Sequence, residues 1–352
     1  MSSGIIPLSR SYARASIKNI ERRRSIYKRS LSSTSSAIQN DIKYCVDLVQ
    51  RRDYDAYICG LLVGGDKARM NYFTMRALNV EIGSALQDAN TNDNSLGVQL
   101  RLQFWRDALD KVYDTSNEKF VFETPVLRAL KFLQKSTNPS KIFLDRLVDA
   151  RELDLDLSNA AESSDKITYT TVADMERYGE LTASSLIYLT LEGAEVYHST
   201  EADVAASHIG QSLGIINILK GFIFRAARGE LCIPRDIFTK YNVKATDITH
   251  HPIFQDDGKE SQLSTSENLK NAVKDVAFTA RNHLYQARNL QGNLSKEARL
   301  CMLQAVSALH YLDRLENADF DIFDTSLLEK QSSRNDIGHH LKLGRAWITG
   351  VF

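Results

Sequence analysis

After residue 40 the chain is a succession of segments whose apolar residues recur every three to four positions, with few stretches of period two. That periodicity limits the fold most, because each such segment must bury one face against another helix. "DIKYCVDLVQRRD" begins the series, with Ile42, Cys45, Val46 and Val49 at helical spacing. "DAYICGLLVGGDKARMNYFTMRALNVEIGSALQDA" reads as two helices broken at Gly64 and Gly65, with Asp66 capping the second. "SLGVQLRLQFWRDALDKVYD" carries an apolar face through Val98, Leu102, Trp105, Leu109 and Val112. "TPVLRALKFLQKS" follows, with Thr124 at the cap and Pro125 in the first turn, where proline is tolerated. One continuous helix is expected over "EADVAASHIGQSLGIINILKGFIFRAAR", closed by Pro234, and two more long helices end the series near residue 316. Only five prolines and 17 glycines interrupt 352 residues. The expectation is one all-α domain over 41–345, with a leader at 1–40 and a short C-terminal tail at 346–352.

The leader differs in composition. Residues 1–40 hold eight Lys or Arg, one acid (Glu21) and 11 serines, which leaves 36 basic and 43 acidic groups in the rest of the chain. Arg-rich, Ser-rich and acid-poor is the make-up of a mitochondrial transit peptide, and "SRSYARASIKNIERRRSIYKRSL" can form a basic amphipathic helix. The plainer alternative is a basic tail that binds RNA or membranes. The longest apolar stretch, "HIGQSLGIINILKGFIF", is interrupted by Gln211, Asn217 and Lys220 and is too short to span a bilayer. Cys45, Cys59, Cys232 and Cys301 lack metal-finger spacing and read as reduced, partly buried thiols.

Paired carboxylates are the first candidates for chemistry. Asp107 and Asp110 are three apart, Asp145 and Asp149 four apart, so each pair shares a helix face. Two such carboxylates, roughly 4.5 to 6 Å apart along the axis, can share a divalent ion. The same spacing is common on solvated faces, and Arg106, Lys111, Arg146 and Arg151 stand beside them, so the solvated reading is preferred. His250–His251 and His339–His340 are adjacent pairs that cannot share a helix face. His208 and His283 read as hydrogen-bonded helix residues. "LVGGDK" lacks the remainder of a phosphate loop and reads as a helix break.

Several motifs in order resemble the squalene/phytoene synthases, which join two prenyl diphosphates head to head. "FWRDALDKVY" (104–113), "TPVLRAL", "YTTVADMERYGELTASSL" (169–186) and "NILKGFIFRAARGELCIP" (217–234) carry the likeness, over roughly 45 to 310. It implies an isoprenoid-synthase-like, all-α fold. In those synthases two facing helices each contribute an aspartate pair that binds Mg²⁺ and grips the diphosphates. The resemblance assigns the first pair to Gly83, Ser84 and Gln87 and the second to Gly221 and Arg225, with Lys220 beside it. None of these side chains is a carboxylate, and Glu81 and Asp88 stand isolated. Mg²⁺ needs near-octahedral oxygen ligands, and an arginine about 5 Å away opposes it by several kcal/mol at an effective dielectric near 20. Without the metals, departure of pyrophosphate loses its main electrostatic stabiliser.

Within that superfamily "RALNVEIG…QLRLQFWRDALDKVY" resembles the mitochondrial complex I assembly factor 6 family, through Asn79, Glu81, Trp105 and Arg106. "AASHIGQSLGI", with His208, "HLYQAR", with His283, and "DFDIFD" extend the likeness over nearly the whole mature chain. The resemblance implies a non-catalytic factor without a cofactor, on the matrix side of the inner membrane and peripherally attached. Its implied partners are complex I subunits or other assembly factors of the membrane arm, with a prenyl-tailed lipid as a further ligand and no nucleic acid. Lys220, Arg225 and Arg228 could still meet an anion through phosphate oxygens, or simply favour a helix C-terminus. The competing readings are an active prenyl transferase with an atypical metal site, and a helical lipid-binding protein.

Overall fold

The structure is a computed structural model that describes residues 36–87, 95–116, 120–160, 166–249, 251–254, 265–329 and 336–352. Residues 1–35, which hold all eight leader cations, lie outside these. The helices in the first half are α1 (Ser36–Arg52), α2 (Tyr54–Leu62), α3 (Asp66–Gln87), α4 (Ser95–Tyr113), α5 (Pro125–Ser136) and α6 (Lys141–Ala160). Then come β1 (Lys166–Ile167), α7 (Val172–Gly179), a π-helical turn (Glu180–Ser184), α8 (Ser185–Gly193), α9 (Thr200–Lys220) and α10 (Phe222–Ala226). β2 (Glu230–Leu231), α11 (Arg235–Lys240), α12 (Ala245–Thr249), α13 (Glu267–Leu290) and α14 (Lys296–Cys301) follow. The chain ends with α15 (Gln304–Asn317), α16 (Thr325–Glu329) and α17 (Ile337–Thr349). The architecture is all-α, as the periodicity dictates.

Gly65, at φ 76°, makes the break between α2 and α3, and Asp66 is the first residue of α3, paired with Arg69. Burial begins at Asp41, whose carboxylate receives a two-pronged bond from Arg128 of α5 (2.6 and 3.0 Å). α9 lies at the centre, packed against α7, the π turn, α13 and α15. Its side chains are small where it crosses α7. A Cβ on Gly214 would fall on the Cα of Gly179, and one on Gly210 would overlap Ser184. The wider π turn carries the chain past this crossing, and Ser185 Oγ donates to the Glu180 carbonyl at its start (3.3 Å).

Asp66 lies within α3 rather than capping it, and the second of the expected closing helices is divided into α14 and α15. Three further expectations change. The helix over "EADVAASHIGQSLGIINILKGFIFRAAR" is not continuous: α9 stops at Lys220, Gly221 is its C-cap, and α10 starts anew. Beyond it a two-residue strand appears, with Lys166 opposite Glu230 and Ile167 opposite Leu231 in parallel. That pairing holds the segment before α7 beside the turn after α10. Finally, 346–352 is not a tail. α17 runs on to Thr349, Ala346 and Phe352 are buried, and Arg288 Nε donates to the Phe352 carbonyl (2.9 Å). Apolar contact and this hydrogen bond make it part of the domain.

All four cysteines are free and buried. Burial pushes Cys45, Cys59 and Cys301 up to about 12 and Cys232 to about 11, so they are unreactive thiols at neutral pH. Among the described residues no helix is long and apolar enough to cross a membrane.

Candidate functional site

The positions that the resemblance assigns to metal-binding aspartates lie on α3 and α10, and α6 supplies what now surrounds them. Gly83 has no side chain, and the guanidinium of Arg151 occupies the space beside it. A Cβ added at Gly83 would stand 3.6 Å from Arg151 Nη2 and 3.7 Å from its Nε. Arg151 is buried and donates through Nη2 to Asn79 Oδ1 (2.9 Å), one helical turn before Gly83. Its guanidinium also lies 5.9 Å from the centre of the Tyr178 ring. Ser84 bonds back to the Glu81 carbonyl within α3 (2.7 Å). Glu81 itself turns to α1, accepting from Tyr44 at 2.6 Å, which pushes that phenol up to about 12. Gln87 ends α3, and its side chain and Asp88 lie outside the described residues.

Arg225 of α10 is half-buried against Asp154, Tyr169, Tyr178 and Cys232. Burial opposes its charge, yet its pKa is raised, through attraction to Cys232, Tyr169, Asp154 and Tyr178 in their ionised forms. Burial likewise raises Tyr169, Tyr178 and Cys232, which are therefore neutral at physiological pH. Asp154 is the carboxyl that faces both arginines. Burial dominates and leaves its pKa raised, against the pull of Arg225, Arg151 and a hydrogen bond from Tyr178. The result is a buried network of two guanidinium groups, one carboxyl, Asn79 and two tyrosines. Its donor set suits neither Mg²⁺ nor any other hard cation, because the groups nearest the positions that the resemblance assigns to aspartates are themselves cations. Among the described residues no group of three or more His, Cys, Asp or Glu could hold a metal ion.

The other candidates separate. Lys220 turns to α2 and meets Asp55 (3.2 Å) and the Tyr311 ring (5.3 Å). Arg228 pairs with Glu230 (3.1 Å). Lys220 and Arg228 are thus paired with different acids, and Arg225 lies among Asp154, Tyr169, Tyr178 and Cys232, so the three do not converge on one anion. Gly221 caps α9 through its N–H to the Asn217 carbonyl (3.0 Å). The paired carboxylates lie on solvated faces, as preferred. Lys141 joins Asp110 to Asp145 (2.8 Å each), and Arg106 bridges α4 to α6 through Asp149 (2.6 Å) and Glu152 (2.5 Å). Trp105, next to Arg106, is buried in the core.

His208 and His283, 75 positions apart, are brought together. Their Nδ1 atoms lie 3.0 Å apart, and His283 Nε2 is 2.9 Å from Glu176. With both rings neutral, a bond from His283 Nε2–H to Glu176 makes His283 Nδ1 the acceptor and His208 Nδ1–H the donor. Burial and the neighbouring imidazole both lower the pKa of His208. His251 stacks on Phe323 at 3.9 Å, while His250 is outside the described residues. Sequence reasoning did not single out Asp154. Tyr169 and Tyr178, by contrast, are the two tyrosines of the matched "YTTVADMERYGEL" motif.

Comparisons with known proteins agree with the all-α fold. The squalene/phytoene synthase family model matches residues 49–335. Among solved structures, a dehydrosqualene synthase aligns with a TM-score of 0.68 at 16% identity, covering 89% of this chain and 98% of that one. The squalene synthase HpnC of Alicyclobacillus acidocaldarius aligns at 0.62 and 15%, covering 83% and 98%. At those identities the likeness concerns the fold. A protein of Rattus norvegicus named NADH dehydrogenase (ubiquinone) complex I, assembly factor 6, is 32% identical over 88% of this chain and 84% of its own length. Its Drosophila melanogaster homolog is 32% identical over 79% and 76%. The chain belongs to the squalene/phytoene synthase superfamily and, within it, to the complex I assembly factor 6 family.

Proposed function

We propose that this chain is a non-catalytic factor in the assembly of mitochondrial respiratory complex I, working peripherally at the matrix face of the inner membrane. The observation that carries the reading is that arginines, not carboxylates, stand at and beside the positions the resemblance assigns to the metal ligands. Arg151 lies beside Gly83, and Arg225 faces Asp154, where the resemblance calls for aspartates around Mg²⁺. A site held by guanidinium groups cannot stabilise a departing pyrophosphate through metals. The relatives named as complex I assembly factors support the role, and the basic leader supports the compartment. The partners in this reading are subunits or assembly factors of the membrane arm.

The test has two arms. Deleting the gene and resolving respiratory complexes on native gels should lower complex I while complexes III and IV hold, and the full chain should restore it. An equal loss of all complexes would reject the assignment. Purified protein incubated with labelled farnesyl diphosphate should release no pyrophosphate with or without Mg²⁺. Metal-dependent formation of a condensed prenyl product would instead support an active transferase.

A further inference from the structure

Among the described residues nothing covers the outer face of α17. Its inner side is fixed: Asp336 caps the first turn by accepting from the His339 N–H (2.9 Å), and buried His339 meets Ser307 Oγ at 2.9 Å. On the outer side Ile337 and Ile348 are each 57% exposed. Eleven residues bring a helix back to within about 20° of the same direction, so both lie along one edge. Val351, equally exposed, follows just beyond the left-handed cap at Gly350. Arg345 is exposed on this side and has no hydrogen-bond or ion-pair partner for its side chain among the described residues. From Ile337 to Phe352 the sequence contains no acid.

The acids that neighbour α17 are already engaged. Asp336 accepts from His310 (2.7 Å), Asp55 is met by Lys220 (3.2 Å) and His339 (3.7 Å), and Asp313 by Lys342 (2.9 Å) and Arg281 (3.3 Å). Beside the apolar edge the Tyr54 ring lies 6.3 Å from His340, and exposed Arg51 and Arg52 close α1 just before Tyr54. Asp53 between them is the N-cap of α2. We propose that this face of α17 seats the protein on an anionic lipid bilayer. Ile337, Ile348 and Val351 enter the apolar boundary, while Arg345 rests on headgroup phosphates. The inference rests on the membrane-face reading above only for which membrane is met. A second exposed apolar stripe, Leu96, Leu100 and Phe104 on α4, runs into Asp107 and Asp110, which a negative surface repels.

The full chain is floated with vesicles of equal parts phosphatidylcholine and phosphatidylglycerol, and with phosphatidylcholine alone. It should float with the anionic vesicles only, and less so at high salt. The double variant Ile348→Ser, Val351→Ser should bind at least about tenfold more weakly, and Arg345→Gln about fivefold. Leu100→Ser should bind as the parent does. These positions are exposed, so melting curves should match the parent. A parent that does not float, or correctly folded variants that float undiminished, would overturn the proposal. If the parent stays unbound while the double variant fails to restore complex I, the face docks a protein instead, and the lipid assignment falls with the assembly role intact. Flotation as expected in a protein whose deletion spares complex I would keep the surface and reject the assembly role.

Discussion

Arg151 lies beside Gly83, and Asp154, about one helical turn further along α6, faces Arg225. Removing that carboxyl leaves two guanidinium groups sharing a buried space with no compensating anion. Asp154→Ala is therefore expected to lower stability by about 3 kcal/mol; an unchanged urea midpoint would show that the carboxyl does not balance the arginines. His339 sets a second residue-scale expectation. Burial pushes its pKa down to about 4 from an ordinary 6.5, so the folded chain holds it neutral. Below pH 6.5 the unfolded chain takes up a proton that the folded chain refuses. Its contribution is thus complete above pH 6.5 and lost as pH falls toward 4, by about 3 kcal/mol in all. His208, His251 and His340 are lowered too and add the same sign. Urea midpoints measured against pH should fall less steeply in His339→Gln than in the parent. Equal slopes would mean that another group carries the effect.

At the scale of elements, the crossing of α9 over α7 and the π turn leaves no room for a methyl group. Gly210→Ala or Gly214→Ala would drive a methyl group into backbone atoms that cannot move without separating two helices. A loss of about 3 kcal/mol or more is expected in thermal unfolding. Gly83→Ala is the internal contrast. Its methyl would meet Arg151 at ordinary contact distance, and alanine is the better helix former, so stability should be unchanged or rise by up to about 1 kcal/mol. If all three substitutions behaved alike, the close approach would not be the cause. The long helices were legible because their apolar spacing repeats over many turns. The break at Gly221 was not, since glycine within an apolar run can continue a helix as well as end one. The pair β1–β2 was equally hidden, because two residues have no period.

For the whole molecule, the contrast between a basic leader and an acidic remainder carries the expectation about location. A fluorescent fusion of the full chain should enter mitochondria, and Arg22→Glu, Arg23→Glu and Arg24→Glu together should leave it in the cytosol. Undiminished import of that variant would show that the leader's charge is not the address. The same scale explains the missing tail. Phe352 finds a buried site beside α13, and the bond from Arg288 fixes it across 64 positions of sequence.

Local sequence determined the helices, their order and the all-α class, because turn-by-turn burial must repeat within each segment. It also carried the motif residues Trp105, Arg106, His208 and His283, and showed that the assigned metal positions lack carboxylates. Tertiary structure decided what stands in their place. Asp154 looks like any acid on a polar helix until α10 brings Arg225 against it. His208 and His283 read as separate residues until α9 and α13 pack and set their rings 3.0 Å apart. Periodicity encodes which face of a helix is buried, but not which residue of another helix it will meet. That is fixed only when the close glycine crossings set the angles at which the helices lie.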